Sequence, residues 1–251
     1  MSQHNTVKSD ETLFSLIEAL RELDEPGVTE LAQRLDMAKS AVHKHLKTLE
    51  NHEYVINNNG NYRLSFRFLS LGGHVVEEVD MSRHAASKAR QLAEDTDTFV
   101  MFAIKEYSRG VFTCVYNDQF GIRRTSPLGK RFYLHSNASG KAILATLSDE
   151  EIDEIIDSAG LPYRTPNTIT TREDLFEEID EIRATGYATS YQERVEGAQS
   201  IAASVRDTRA GMVGAISITR PATPSKSEYP PELKDRVTEA ARELELEIKL
   251  K

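Results

Sequence analysis

Residues 28–64 read VTELAQRLDMAKSAVHKHLKTLENHEYVINNNGNYRL: two short helical patterns at a tight turn, then two β-prone runs around an Asn/Gly turn. The second helix spans about Lys39 to Glu50, with each residue turning about 100°. Setting Lys39 at zero places Ser40, His43, Lys44 and Lys47 between about 0° and 140°, and Val42, Leu46 and Leu49 between about 280° and 340°. One face is cationic and hydrogen-bonding; the other is aliphatic. The aliphatic stripe suits docking on the preceding helix, about Thr29 to Leu35, through the i, i+4 pair Leu31 and Leu35.

The polar face is left for a groove. A major groove about 12 Å wide admits one helix and offers acceptors to Lys and mixed partners to Ser and His. Behind it, Tyr54–Ile56 and Tyr62–Leu64 flank Asn57–Asn61, whose Gly60 supplies positive-φ chemistry, so a hairpin wing is expected. Arg63 and the wing amides would then lie near a phosphate or the minor groove. A charged helix face is most often only a solvated surface, but the charge distribution favours a reader. Residues 1–36 carry three basic and eight acidic side chains, whereas residues 37–67 carry five basic and two acidic. The whole chain stands at −9, so nonspecific attraction to DNA should be weak and specificity must come from this focused patch.

The 251 residues suffice for one small and one larger domain, and 39% hydrophobic with 28% charged residues describes a globular chain with a real core. No apolar run approaches the roughly 20 residues that span a bilayer, and MSQHNTVKSDETLF lacks a charged-then-apolar leader, so a cytoplasmic location is expected. A single cysteine, Cys114, excludes an intramolecular disulfide and a cysteine-based zinc site; a buried strand thiol is its expected state. His43, His45 and His52 do not make a metal site, because i and i+2 on a helix point apart; His45 falls nearer the aliphatic face, as a partly buried packing residue.

Further helices are expected from about Asp10 to Leu23, from Phe66 to Val79 (interrupted by Gly72 and Gly73, a hinge or a close packing), from His84 to Thr96, and near 139–146, 149–159 and 172–185. A last helix opens at Pro230. Strands are expected at about 99–105 and 110–116, joined through Ser108, Arg109 and Gly110, and near 187–192, 199–206 and 212–219. The PATPSKSEYPP stretch at 221–231 reads as a surface loop. Mixed strands and helices argue α+β.

TELAQRL, KSAVHKHLKTLE and YRLSFRFLSLG together resemble the amino-terminal winged helix-turn-helix of IclR-type transcriptional regulators. LHSNASGKAILA at 134–145, ATGYATSYQERVEGAQSIAASV at 184–205 and GAISITRP at 214–221 resemble the effector-binding half of the same family, in the same order. The resemblance implies an α+β chain: a winged helix-turn-helix DNA-binding domain at 6–67, then a linker helix and a GAF-like effector-binding, oligomerisation domain at 68–251. The expected DNA-binding residues are Thr29, Lys39, Ser40, His43, Lys44, Lys47 and Arg63.

No catalytic constellation stands out. SGK at 139–141 fails as a phosphate loop because His135 and Ala142 occupy its first glycine and final hydroxyl positions, and no G-x-S-x-G elbow occurs. Ser139 and Gly140 do mark a helix amino terminus that favours an anion, unless Asn137 or Ser139 merely caps that helix. By resemblance the effector pocket takes Ala138, Ser139, Ser190, Ser200, Ser217 and Thr219, with Glu193 orienting a polar ligand or closing the rim. Ser217 and Thr219 alternate on a strand and so share a face. Ser190 and Ser200 stand where many members carry an acid and a cysteine, and Ser204 where a proline is frequent, making the pocket more neutral and hydroxyl-rich. The expected function is a regulator without cofactor or metal, a dimer or tetramer on a palindromic duplex operator, controlled by a small organic, sugar or aromatic acid. The alternatives are a metabolite-processing enzyme with a GAF-like cavity and a constitutive architectural DNA binder.

Overall fold

The computed structural model describes residues 6–116, 128–222 and 229–250. Its contacts divide into two units, Met1–Val75 and Val76–Lys251.

The first unit comprises α1 (Lys8–Glu22), α2 (Val28–Arg34), α3 (Lys39–Asn51), β1 (Val55–Asn58) and β2 (Asn61–Leu64). Leu16 and Leu20 of α1, Leu31 of α2 and Val42, Leu46 and Leu49 of α3 form one buried cluster with Val55 and Tyr62 of the hairpin. The α2–α3 turn is closed by Asp36 at φ 51°, a left-handed conformation that a short polar side chain tolerates, and by a Met37 N–H bond to the Ala32 carbonyl at 2.9 Å. The wing turn is tighter than the five residues read from sequence. Asn58 pairs with Asn61, and only Asn59 (φ 52°) and Gly60 (φ 92°) turn the chain, both at positive φ as a type I′ hairpin demands. Asn57 Oδ1 accepts the Gly60 N–H at 2.9 Å.

Helix α4 (Arg67–Glu78) runs through Gly72 and Gly73 without a break. A Cβ at either glycine would meet nothing within 4 Å, so neither is required by packing within this chain.

The second unit holds α5 (Asp80–Thr96), β3 (Phe99–Glu106), β4 (Arg109–Tyr116), β5 (Arg131–Tyr133), α6 (Ala138–Leu144), α7 (Asp149–Ala159), α8 (Arg172–Thr185), β6 (Ala188–Tyr191), β7 (Ala198–Asp207), β8 (Met212–Pro221) and α9 (Pro231–Lys249). The strands form one curled antiparallel sheet in the order β5-β4-β3-β8-β7-β6. Alternation along β3 sends Val100, Phe102 and Ile104 to the face covered by α5 and α9, and Ala103 to the face covered by α6, α7 and α8. A bulge between Phe102 and Ala103 inserts Thr113 into β4, so Phe112 and Cys114 serve opposite faces although they stand two apart. Cys114 is a buried strand thiol, its pKa pushed up to about 12 by burial.

Three local readings are corrected. The β3–β4 turn is Tyr107–Ser108, with Tyr107 at φ 51°, which leaves Arg109 and Gly110 inside β4. Helix α5 begins at Asp80 rather than near His84. Strand β5 and the 3-10 turn Leu134–Ser136 were absent from the sequence reading, being three residues each and too short for any periodicity. Residues 223–228 of the expected 221–231 loop lie outside the described residues.

Candidate functional site

The two faces of α3 separate in burial as they do in angle. Val42, Leu46 and Leu49 are buried, whereas Lys39, Ser40, His43, Lys44 and Lys47 are exposed and His45 is half-buried. Ala38 precedes α3 without a capping side chain, which leaves first-turn amides to solvent or to a ligand. Thr29 is exposed in the first turn of α2. Two of the cations have acidic neighbours: Lys47 Nζ lies 3.1 Å from Glu50 Oε2, and Arg63 Nε of β2 lies 3.7 Å from Glu25 Oε1. Both pairs are solvent-exposed, so each contributes about 0–1 kcal/mol and yields readily to a phosphate.

In the second unit the β-ladder sets Ser190, Ser200, Thr219 and Phe99 in one cross-strand row, and Ala188, Ala202, Ser217 and Met101 in the next. Alternation puts both rows on the face that carries α6. Ser217 Oγ donates to the Met101 carbonyl at 3.3 Å, while the buried Thr219 Oγ1 has no hydrogen-bond partner among the described residues.

Above these rows α6 is buried along its whole length, including Ala138 and Ser139. Asn137 caps it, its Oδ1 accepting the Gly140 N–H at 2.9 Å, while its Nδ2 has no hydrogen-bond partner among the described residues. One amide of the expected anion site is therefore occupied by the cap. Gly140 is fixed by close approach: a Cβ there would lie 2.1 Å from the Leu134 carbonyl oxygen.

Sequence reading missed the role of Lys141. Its side chain is 1% exposed, and Nζ donates to Glu178 Oε1 at 2.7 Å and to Glu193 Oε1 at 2.9 Å. Glu193 is thus held by an ion pair that ties α6 to the segment after β6. Burial raises its carboxyl above the usual range despite the attraction of Lys141. Thr168 donates to the Glu193 carbonyl at 2.6 Å and Thr165 to the neighbouring Gln192 carbonyl at 2.5 Å, fixing the same segment from the α7–α8 connection. A lysine three residues after a helix start carries no sequence mark of burial, and its partners lie 37 and 52 residues away.

His135, in the 3-10 turn, is 2% exposed and donates through Nε2 to the Pro162 carbonyl at 3.3 Å. Its pKa is lowered by burial first, and then by the positive charges of Arg109, Arg164 and Lys141. The folded state therefore binds this proton less tightly than the unfolded state. The stability this contributes is present above the usual value of 6.5 and is lost as pH falls through the lowered one. In denaturant titrations between pH 7 and 5, His135→Gln should lose less stability than the unmodified chain; equal losses would contradict this.

Among the described residues no group of three His, Cys, Asp or Glu side chains is placed to hold a metal ion, and no helix is long and apolar enough to cross a membrane. A polar cleft of about 320 Å³ lies at the β7–β8 turn, lined by Lys105, Glu151, Arg206 and Asp207, at the opposite strand ends from the hydroxyl row.

A winged helix-turn-helix followed by a helix and a curled-sheet domain is the build of a two-part DNA-binding regulator. Residues 13–57 match the IclR helix-turn-helix domain, and residues 73–246 match the family of the bacterial transcriptional regulator IclR C-terminal domain. The chain is 31% identical over 221 residues to the HTH-type transcriptional regulator KdgR of Dickeya chrysanthemi, covering 87% of this chain and 72% of that protein. The crystal structure of Thermotoga maritima IclR superposes with a TM-score of 0.79 at 25% identity, over 96% of this chain and 98% of the other. An IclR homologue from Microbacterium hydrocarbonoxydans, crystallised with 4-hydroxybenzoate, shares the fold at a TM-score of 0.77 and 17% identity, over 95% and 100% of the two chains. The chain belongs to the IclR family of transcriptional regulators.

Proposed function

We propose that this regulator binds a palindromic duplex operator in the cytoplasm as a dimer or tetramer, and that a small organic, sugar or aromatic acid changes its grip on that operator without being turned over. Residues 6–67 act as the reader, and residues 68–251 link, assemble and bind the effector. The observation that carries the reading is the division of α3, cationic and exposed through Lys39, Lys44 and Lys47, aliphatic and buried through Val42, Leu46 and Leu49. Ser40 and His43 would meet base edges or phosphates between these lysines, with Thr29 and Arg63 on the flanking backbone. Assembly is supported by α4, which buries no residue in the single chain and exposes Leu69, Leu71 and Val75. Paired readers about one helical turn apart would match a two-fold operator.

The effector reading is supported by the hydroxyl row Ser190, Ser200 and Thr219, with Ser217 in the neighbouring row of the same face, under Ala138 and Ser139 of α6, and with the buried Glu193 following β6. The homologue crystallised with 4-hydroxybenzoate supports an aromatic acid as one member of the class. Footprinting of the chain's own upstream DNA, with and without such acids, tests the whole reading: occupancy should change with one of them, and unchanged occupancy throughout would leave a constitutive binder. At the pocket, Thr219→Val replaces a buried hydroxyl that lacks a partner among the described residues by an isosteric methyl. Fold stability should hold or rise, while effector affinity should fall about tenfold, the loss of one hydrogen bond of roughly 1.4 kcal/mol. Calorimetric titration with the effector checks this, and unaltered affinity would remove Thr219 from the site.

A further inference from the structure

Three guanidiniums gather in the second unit without an ion-paired carboxylate among the described residues. Arg109 opens β4, Arg164 lies between α7 and α8, and Arg194 lies between β6 and β7. Arg109 Cζ stands 3.4 Å from the centroid of the Tyr133 ring, and Arg164 Cζ stands 4.9 Å from the same centroid. Arg194 Cζ lies 5.2 Å from Phe112 and 5.4 Å from Phe132, two rings whose centroids are 4.5 Å apart. Phe132 and Tyr133 are adjacent in β5 and leave the strand on opposite sides, so Arg109 and Arg164 share the Tyr133 ring while Arg194 covers the Phe112–Phe132 pair beside it. The segments bearing Arg164 and Arg194 are tied together, since Thr165 Oγ1 donates to the Gln192 carbonyl at 2.5 Å.

These charges feel one another. Arg194 has its pKa lowered by burial and by the charge of Arg164, and His135 has its pKa lowered by burial and further by Arg109 and Arg164. Arg109 Nη1 is buried without a hydrogen-bond partner among the described residues. None of the three pairs with an acid among the described residues, whereas Arg131 in the same β5 pairs with Glu106 at 3.2 Å and Lys141 pairs with two glutamates. The like charges of Arg164, which is exposed, and Arg194 repel, and a buried guanidinium donor such as Arg109 Nη1 is ordinarily satisfied. The species that answers both is an anion, and the planar fork of arginine fits a carboxylate or a phosphate oxygen pair.

We propose that Arg109, Arg164 and Arg194, arrayed on Phe112, Phe132 and Tyr133, form an anion subsite for the carboxylate or phosphate head of a small organic ligand. As the head-group site of the effector it rests on the function proposed above; as an anion site it stands alone. The acidic end of the ligand is then recognised by arginines rather than by the capped amino terminus of α6.

The test is thermal unfolding of the full chain at constant ionic strength, replacing chloride by inorganic phosphate in one arm and by 4-hydroxybenzoate in another, with uncharged 4-hydroxybenzyl alcohol as the control. At least one anion should raise Tm saturably by several degrees, and the alcohol should not. A response to phosphate alone or to hydroxybenzoate alone supports the subsite and identifies its head group. Arg194→Gln and Arg164→Gln should abolish the rise, and Arg194→Lys should keep part of it. In chloride, Arg164→Gln should unfold no earlier than the unmodified chain, since it relieves repulsion. No saturable rise with either anion, or an undiminished rise in Arg194→Gln, overturns the proposal. A rise that the variants abolish, alongside operator occupancy that no acid alters, would keep the subsite and discard the effector reading.

Discussion

Replacing Lys44 and Lys47 together by alanine should weaken operator binding about 30-fold at 0.15 M salt and reduce the slope of log affinity against log salt by about 2, the counterion release of two phosphate contacts. Both side chains are exposed, and alanine is the best helix former, so the first unit should unfold where the unmodified chain does. Lys47 must leave Glu50 to reach a phosphate, but an exposed pair resists by no more than about 1 kcal/mol. Binding isotherms at four or more salt concentrations check the result. An unchanged slope would mean that this face of α3 is a solvated surface and that the duplex is held elsewhere.

The second large effect is expected at Lys141. Lys141→Met is close in volume, yet it strands Glu193, whose buried Oε2 already lacks a partner among the described residues. Breaking a buried pair by removing one member costs about 3–5 kcal/mol, and chemical denaturation of the second unit should register a loss of that order. The pH dependence gives the cause. Glu193 already has a raised pKa, and losing the attraction of Lys141 raises it further. A carboxyl whose folded pKa lies above its unfolded value stabilises most when protonated, and that contribution is lost as pH rises through the folded pKa. The deficit of Lys141→Met should therefore be smaller at pH 5 than at pH 8. Adding Glu193→Gln should recover part of it. A deficit under about 1 kcal/mol, or one that grows as pH falls, would contradict this account of the ion pair.

The first unit was legible in the sequence because its signals are local: a 3.6-residue stripe on α3, an Asn-Gly turn, and a charge reversal between neighbouring segments. The long strands β3, β7 and β8 were legible too, since each is a largely apolar run of eight or ten residues, as a strand covered on both faces requires. What the sequence hid depends on contacts between distant residues. The bulge at Thr113 has no composition of its own, and β5 is three residues held to β4 by pairing alone. Lys141 finds Glu178 and Glu193 only when α6, α8 and the segment after β6 converge. The arginine cluster is invisible for the same reason, its members coming from three separate connections and strands. Ser190, Ser200 and Thr219 entered the candidate pocket through resemblance, and strand register, which no single segment encodes, aligns them in one row.

The most direct measurement of the central claim is selection of the purified chain against a random duplex library at low ionic strength. The account predicts enrichment of a two-fold symmetric sequence whose half-sites are centred about 10 base pairs apart, and loss of that enrichment in the Lys44→Ala, Lys47→Ala chain. Recovery of no preferred duplex by the unmodified chain, with or without added metabolites, would contradict it.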